Sequence, residues 1–182
     1  AASYAPHGMV AAALLQTKGR GRRGRSWQAA FGASLTFSLL WRFQMGASAL
    51  SGLSLAVGLA LVRALHHYGL RSAQLKWPND ILVQGRKLAG ILIELNGDMD
   101  GPSAAVIGIG LNLNLPPAIR TQIDQPVTDM ASHLPIDIDP NALLGQLLHE
   151  LAQVLDTFER EGFSALREEW QAHHAYHGEV VK

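Results

Sequence analysis

A run of arginines and glycines near the N-terminus holds the densest charge in this 182-residue sequence. Residues 19–26 are GRGRRGRS, and Lys18 precedes them. Guanidinium groups and glycine backbone amides can converge on one anion, such as a carboxylate or a phosphate. The same composition is typical of a solvated basic loop or a nucleic-acid-binding patch. This segment, called the Arg/Gly loop below, therefore predicts an anionic ligand without identifying it.

The Arg/Gly loop also matches two phosphate-binding patterns, G-x-G-x-x-G and a P-loop with arginine in place of lysine. Both patterns need a helix directly after the glycines. Residues 27–33, which lead to the next predicted strand, are too few for a crossover helix. The first acidic residue of the chain is Asp80, so the acid of a dinucleotide-binding fingerprint is also missing. Both motifs are rejected.

Three further segments carry polar residues in an otherwise apolar context. They are KWPND at 76–80, RKLAGILIE at 86–94 and GIGLNLN at 108–114. Asn and Asp are common turn residues, and a lysine at the start of a strand often protects a sheet edge. The side-chain amides of asparagines at a strand end often form hydrogen bonds with neighbouring groups. Taken singly, each segment has a structural explanation.

Other kinds of site have weaker support. His173 and His177 are spaced as a helical zinc pair, but no third ligand is evident, and we interpret them as surface histidines. His66 and His67 lie near a predicted helix C-terminus, where the helix dipole favours them. The absence of cysteine excludes disulfides and thiolate chemistry, and no nucleophile elbow is present.

Charge is segregated along the chain although the net charge is zero. Residues 1–79 hold nine Lys or Arg and no carboxylate, whereas residues 80–182 hold six against fifteen. This asymmetry favours an anionic ligand near the N-terminal half. A composition of 48% hydrophobic and 16% charged residues supports a folded core rather than disorder. The uncharged stretch between Arg42 and Arg63 contains Gln, Ser and Gly and predicts a buried helix rather than a membrane span.

Hydrophobic periodicity predicts the elements that position these segments. Strands are expected at 9–16, 34–42, 73–77, 80–84, 87–94 and 104–113, with Gly85 and Arg86 as a hairpin turn. Helices are expected from an N-cap at Ser48 to Gly69, from Asp139 through Phe158, and over 164–176. Residues 114–139 are predicted to form a long loop. This order indicates an α+β fold with a mainly antiparallel sheet and helices packed on one side.

The order and spacing of the four segments together resemble biotin protein ligase (biotin–acetyl-CoA-carboxylase ligase) of the bacterial type. The match covers Gln16 to Trp27, then KWPND, KLAGILIE and GIGLN. The resemblance implies the class II synthetase-like catalytic fold that this family shares with lipoate ligases. It also implies ATP-dependent activation of biotin to biotinyl-5′-adenylate, with Mg²⁺, and transfer of biotin to a lysine of a biotin carboxyl carrier protein.

The resemblance also implies roles for individual residues. Arg22, Asp80 and Lys87 are expected to take part in the chemistry directly, with Asp80 also facing Mg²⁺. Trp27 and Trp41 are candidate pocket walls, and the Arg/Gly loop is expected to become ordered when biotin binds. The residues implied to bind biotin are Gln16, Arg20, Gly21, Arg22, Ser38, Lys87 and Gly90. The residues implied to bind the nucleotide are Asn79, Asp80 and Asn112.

The domain and partner expectations follow from the same resemblance. Residues 1–176 are predicted to be the catalytic domain, lacking an upstream Ser/Thr-Thr-Asn motif, and 177–182 to begin a small SH3-like domain. The expected location is the cytoplasm, with no membrane partner; a homodimer is possible, and DNA is a partner only if an N-terminal domain exists. The alternatives are a lipoate–protein ligase of the same fold, a nucleic-acid-binding module that uses the Arg/Gly loop, and a biotin-binding domain that has lost catalysis.

Overall fold

The computed structural model describes residues 5–97, 99–135 and 137–179. Its strands and helices, in chain order, are β1 Val10–Ala13, β2 Gly19–Arg20, β3 Ser26–Trp27, β4 Ser34–Phe43, α1 Leu53–His67, β5 Ala73–Lys76, β6 Asp80–Val83, β7 Arg86–Gly97, β8 Ser103–Asn112, α2 Pro117–Arg120, α3 Pro140–Glu161 and α4 Arg167–Ala172. Short 3₁₀ turns lie at Arg22–Gly24, Ala47–Leu50, Met130–Ser132 and Phe163–Leu166.

Six strands form one sheet in the order β1-β4-β8-β7-β6-β5, and every neighbouring pair is antiparallel. The long strands β4, β7 and β8 occupy its centre. Strands β2 and β3 form a separate two-stranded hairpin. The predicted α+β fold with a mainly antiparallel sheet is confirmed.

The two faces of the central strands differ in character because side chains alternate along a strand. Phe37 of β4, Ile109 of β8 and Ile91 of β7 are paired across the sheet. They belong to one apolar core with the buried faces of α1 and α3. The opposite face carries Ser38 paired with Gly108, and Gly90 paired with Gly110. Helices α1 and α3 pack on the first face, and residues of the second face line a cleft.

Helix α1 is apolar on most of its circumference because it lies between the sheet and α3. It begins at Leu53 with Gly52 before it, rather than after Ser48. Ser48 lies in a 3₁₀ turn, and its hydroxyl donates to the carbonyl of Met99 at 2.9 Å, so it caps no helix. Among the residues that the structure describes, none of the helices combines the length and apolarity needed to cross a bilayer.

Helix α3 begins as predicted. The Asp139 carboxylate accepts a hydrogen bond from the Asn141 amide at 2.8 Å, and Pro140 occupies the first turn, where its missing N–H costs nothing. The side chains at helical spacing point into the core; those that are buried are Leu143, Leu147, Leu151, Val154, Leu155 and Phe158.

Two further predicted boundaries are wrong, the first for a local reason and the second because of a contact with a distant strand. The hairpin between β6 and β7 turns at Gln84 and Gly85, which both have positive φ (51° and 72°), because a tight two-residue hairpin turn requires that conformation at both positions. The helix predicted over 164–176 is limited to α4. Beyond it, His174 forms a parallel bridge with Leu75, so the backbone leaves the helix to cover the edge strand β5.

The C-terminal segment is attached at several points. The amide of Leu75 donates to the carbonyl of His173, and the amide of Ala175 donates to the carbonyl of Leu75, both at 2.8 Å. Arg63 of α1 makes a two-pronged ion pair with Glu169 of α4, and these hydrogen bonds lower the pKa of the Glu169 carboxyl. Residues 175–178 form turns. The remainder of the segment predicted to begin a further domain, residues 180–182, lies outside the described residues.

Candidate active site

A cleft of about 990 Å³ lies over the glycine-bearing face of the sheet, beneath the β2–β3 hairpin. Residues 122–125 and Val127 form one wall, and the turn 77–79 contributes to the rim. All the site residues expected from the sequence line this cleft, although they are spread over almost 100 positions. They are Gln16, Arg20, Gly21, Arg22, Ser38, Asn79, Asp80, Lys87, Gly90 and Asn112. Their individual roles remain predictions.

The floor of the cleft is flat because glycines occupy it. A Cβ atom at Gly110 would lie 2.6 Å from the indole ring of Trp27, and one at Gly90 would lie 3.2 Å from Lys87 Cε. Any larger residue would therefore displace the indole or the lysine. A Cβ at Gly108 would lie 3.9 Å from Ser38 Oγ. The glycines allow a planar group to approach the sheet backbone closely.

Asp80 and Lys87 form an ion pair at the edge of this floor. Lys87 Nζ lies 2.8 Å from Asp80 Oδ1, and their side chains are 17% and 18% exposed. Asp80 begins β6 and pairs with Gly90 of β7, while a register shift between Ile81 and Leu82 realigns the strands near Lys87. Asp80 Oδ1 is buried, and the charged group beside it is Lys87 Nζ. The pair thus keeps an acceptor oxygen beside a cation at the bottom of the cleft.

Asn79 is held rigidly against β7. Its side-chain amide donates to the carbonyl of Ile91 at 2.8 Å, and its own carbonyl accepts from the Ile91 amide at 2.9 Å. The remaining side-chain oxygen accepts a hydrogen bond from Arg22 Nη1 at 3.2 Å. Asn79 therefore links the Arg/Gly loop to the sheet.

The Arg/Gly loop is a hairpin in this structure and not an open loop. The amide of Gly21 donates to the carbonyl of Arg25 at 2.7 Å, and Arg23 adopts a left-handed conformation with φ 56°. The Gln16 side chain reaches back toward Gly19, where its Oε1 would lie 3.0 Å from an added Cβ. Arg20 Nη2 lies 2.8 Å from Glu94 Oε2 across the cleft. Glu94 belongs to the segment 86–94 identified from the sequence, but no local pattern predicts that it pairs with Arg20.

The cleft is electropositive. The described residues that line it include seven Lys or Arg and three Asp or Glu. The four arginines of the hairpin, Arg20, Arg22, Arg23 and Arg25, are all exposed. Solvent-exposed guanidinium groups beside the Asp80–Lys87 ion pair are suited to surrounding an anion that enters from solvent.

Asn112 has the structural role of a strand-end asparagine whose polar groups are satisfied by its neighbours. The side chain is buried, and its amide donates to the carbonyl of Thr128 at 3.0 Å. The Ser34 hydroxyl approaches its Oδ1 at 3.5 Å. Asn112 therefore ties the segment that walls the cleft to the end of β8, in addition to bordering the cleft.

The segment predicted as one long loop, 114–139, is instead an organised wall. It contains α2 and a 3₁₀ turn, and it pairs with β7 at the residue of the ion pair. The Lys87 amide donates to the carbonyl of Pro126, and the Thr128 amide donates to the carbonyl of Lys87, both at 2.9 Å. The backbone of Lys87 is thereby held on the side opposite β6.

Asp129 anchors this wall. The carboxylate is 1% exposed and accepts hydrogen bonds from the Leu115 amide, from the Ser132 amide and hydroxyl, and from Arg120. Burial raises the pKa of the carboxyl, but these hydrogen bonds and the Arg120 charge outweigh it and lower the pKa below its ordinary value. The only local signal in the sequence is an Asp three residues before a Ser, as in a capped turn.

Trp27 and Trp41 were both expected to form walls of the ligand pocket, but Trp41 is not among the residues that line the cleft. Trp27 lines the cleft. Trp41 packs against the core cluster, with its ring centroid 4.5 Å from that of His7.

The C-terminal histidines make aromatic contacts. The rings of His173 and His66 are 5.0 Å apart, and the ring of His174 is stacked on Trp170 at 4.7 Å. Within residues 5–97, 99–135 and 137–179, no group of three or more His, Cys, Asp or Glu is arranged to hold a metal.

Comparison with known proteins gives consistent matches. The model of the biotin/lipoate A/B protein ligase family matches residues 3–112. The chain is 38% identical over 156 residues to the bifunctional ligase/repressor BirA of Escherichia coli, covering 86% of this chain and 48% of that protein. It is 37% identical over 171 residues to a biotin–[acetyl-CoA-carboxylase] ligase of Paracoccus denitrificans, covering 91% and 70%.

Solved structures agree with these matches. The biotin protein ligase of Aquifex aeolicus in complex with biotin and ATP superposes with a TM-score of 0.77 at 28% identity, covering 94% of this chain and 71% of that one. The chain spans about half the length of the E. coli and Salmonella typhimurium relatives. On the family match and the identity to the Paracoccus protein, this chain belongs to the biotin/lipoate A/B protein ligase family.

Proposed function

We propose that this chain is the catalytic domain of a biotin protein ligase. It condenses biotin with ATP to form biotinyl-5′-adenylate and pyrophosphate, and then transfers biotin to a lysine of a biotin carboxyl carrier protein. The observation that carries this proposal is the Asp80–Lys87 pair on a glycine floor under an arginine-rich hairpin. Its relatives are named as biotin ligases, and the Aquifex structure holds biotin and ATP.

The first step joins two anions, so it needs fixed positive charge. A carboxylate oxygen of biotin bonds to the α-phosphorus of ATP, and pyrophosphate leaves with the electrons of the broken bond. Lys87 is the least exposed cation among the described residues that line the cleft, and it is held by Asp80 and by the backbone contacts to residues 126 and 128. Arg22 reaches the same region through Asn79. We assign to these two cations the neutralisation of the reacting carboxylate and phosphate.

The second step needs no enzyme nucleophile. The lysine amine attacks the acyl carbon of the adenylate, AMP leaves, and the nitrogen gives up a proton. The mixed anhydride is already activated, which agrees with a cleft built from cations, amides and glycines. Asp80, whose carboxylate lines the cleft and is held in place by Lys87, can orient the incoming amine.

In this proposal the ligands contact both the hairpin and the floor of the cleft. Gln16, Arg20 and Gly21 lie on the hairpin side, and Ser38 and Gly90 lie on the sheet. The fused rings of biotin are compact, and we assign them to the space beside the Trp27 indole, which covers Gly90 and Gly110. Asn79 and Asn112 border the part of the cleft that we assign to the nucleotide.

Mg²⁺ fits the site as a companion of ATP. This ion is usually held by one or two carboxylates together with substrate phosphates, and it keeps several waters. Asp80 is the protein residue that would hold it, because its carboxylate lines the cleft, with Oδ1 already engaged by Lys87 Nζ at 2.8 Å. When bound, the ion would neutralise phosphate charge.

The proposal also implies competing ligands, a partner and a location. Lipoate is the competing substrate within the fold, and nucleic acid is the competing ligand of the hairpin. A carrier protein is the expected partner, and the cytoplasm is the expected location. Homodimerisation and binding to DNA through a further domain remain predictions.

The test is biotin-dependent pyrophosphate release with ATP and Mg²⁺, followed by transfer of biotin to a purified carrier domain. We expect release with biotin and at least tenfold less with lipoate. Lys87→Ala should reduce the rate by a factor of about 10²–10³, the usual cost of removing one preorganised electrostatic contact. Arg86→Ala is the matched control, because Arg86 is exposed and adjacent in the same strand. Equal release with lipoate, or an active Lys87→Ala variant, would refute the proposal.

A further inference from the structure

One large aromatic side chain stands in solvent at the mouth of the cleft. Trp77 is 66% exposed and yet contributes to the cleft rim. It lies in the turn between β5 and β6, with exposed Lys76 before it and the ion-paired Asp80 three residues after it. A tryptophan side chain offers a large apolar area with one polar N–H and is enriched at protein interfaces.

The turn that carries Trp77 is held in place. The Ser54 hydroxyl of α1 donates to the carbonyl of Pro78 at 3.1 Å, and Asn79 is bonded to Ile91 through both its side chain and its carbonyl. An aromatic side chain on a fixed backbone loses little conformational freedom when it is covered. Such residues are the ones that dominate the energy of protein interfaces.

The proposed reaction places a macromolecule at this rim. The acceptor lysine must reach the adenylate beside Asp80 and Lys87, and its side chain is a stem of only four carbons. The surface around that lysine therefore has to contact the rim. The rim is basic, with exposed Lys76 on one side of the indole and the exposed arginines of the hairpin across the cleft.

We propose that Lys76 and Trp77 form the docking surface for the acceptor domain. Trp77 packs on an apolar residue next to the target lysine, and Lys76 faces acidic side chains of that domain. This inference rests on the proposed function, since it names the part of the chain that recognises the partner of the second step. A contact of Trp77 with the adenylate itself is the competing explanation.

The experiment separates the two steps of the reaction for Trp77→Ala. Adenylate formation is measured as pyrophosphate release, and the reactivity of the adenylate is measured with hydroxylamine, a small amine that needs no docking. Transfer to a purified carrier domain is measured over a range of carrier concentrations. We expect the first two rates to stay within twofold of wild type and the KM for the carrier domain to rise by about ten- to thirtyfold.

Two further variants are measured together with Trp77→Ala. Phe31→Ala is the matched control, because Phe31 is an aromatic residue with 74% exposure that does not belong to the cleft lining; its KM should be unchanged. Lys76→Glu should raise the KM for the carrier domain, and added salt should reduce the difference from wild type. A melting temperature within 2–3 °C of wild type, as expected for exposed positions, shows that the variants are folded.

The outcomes are distinct. An unchanged KM in Trp77→Ala overturns the docking surface while leaving the proposed function intact. Equal losses in pyrophosphate release and transfer overturn it in favour of a ligand contact. A wild-type chain that releases no pyrophosphate with biotin overturns the proposed function and the docking surface together.

Discussion

Asp129→Asn tests whether the wall of the cleft is held by one buried carboxylate. The substitution keeps the volume of the side chain but replaces one oxygen by an amide nitrogen. The Ser132 amide and hydroxyl, at 2.9 and 2.6 Å from Oδ1, retain an acceptor. The Leu115 amide, 2.6 Å from Oδ2, and the Arg120 guanidinium then face another donor.

The expected cost follows from those two lost contacts. A hydrogen bond to a charged group contributes about 1.5–3 kcal/mol, and removing one member of a buried ion pair costs about 3–5 kcal/mol. The Arg120 side chain is 32% exposed and regains some hydration, which favours the lower end of these ranges. We therefore expect a loss of about 3 kcal/mol, or a fall in Tm of about 6–12 °C for a chain of this size.

Urea and thermal unfolding measured by circular dichroism provide the assay. Asp156→Asn is the control, because the ion pair of Asp156 with Arg160 is 66% and 61% exposed, and such surface pairs contribute at most about 1 kcal/mol. Hydrogen exchange adds a local readout. The Thr128 amide, bonded to the Lys87 carbonyl, should exchange faster in Asp129→Asn than in the wild type.

The pH dependence adds a second check on Asp129. Because its pKa is lowered in the folded state, its contribution is complete above the ordinary carboxyl pKa and is lost as the pH falls through the folded value. The stability difference between wild type and Asp129→Asn should therefore shrink in acid. A difference below about 1 kcal/mol at pH 7 is smaller than a single charged hydrogen bond and would refute the reasoning.

Two other predictions concern the floor of the cleft and His66 of α1. Gly110→Ala places a Cβ 2.6 Å from the Trp27 ring, so it should cost about 1–3 kcal/mol by overpacking and change the tryptophan emission; Gly145→Ala, with open space around it, should do neither. Burial lowers the pKa of His66 below its ordinary 6.5, so stability should fall as the pH drops from 7.5 to 5.5. Equal pH dependence in His66→Gln, measured by urea unfolding, would contradict that assignment.

The sequence predicted the elements best where one local pattern decides them. The alternation in 34–42 anticipated β4, and Asp139 with Pro140 anticipated the start of α3, because both depend on neighbouring residues. The start of α1 was missed because the Ser48 hydroxyl is taken by Met99, 51 positions away. The end of α4 was missed because His174 pairs with β5. Secondary-structure propensity depends on neighbouring residues and cannot predict a hydrogen-bond partner that is distant in the chain.

By itself, the sequence determined the chemistry available to this protein: the basic N-terminal half, the glycines at 90, 108 and 110, and the motifs that contain Asp80 and Lys87. Only the tertiary structure decided how these groups meet. The antiparallel register places Gly90 beside Gly110, the register shift in β6 realigns the strands near the Asp80–Lys87 pair, and Asp129 holds the wall that pairs with Lys87. These contacts join residues distant in the chain, and their energies depend on burial and on distances that no local pattern encodes.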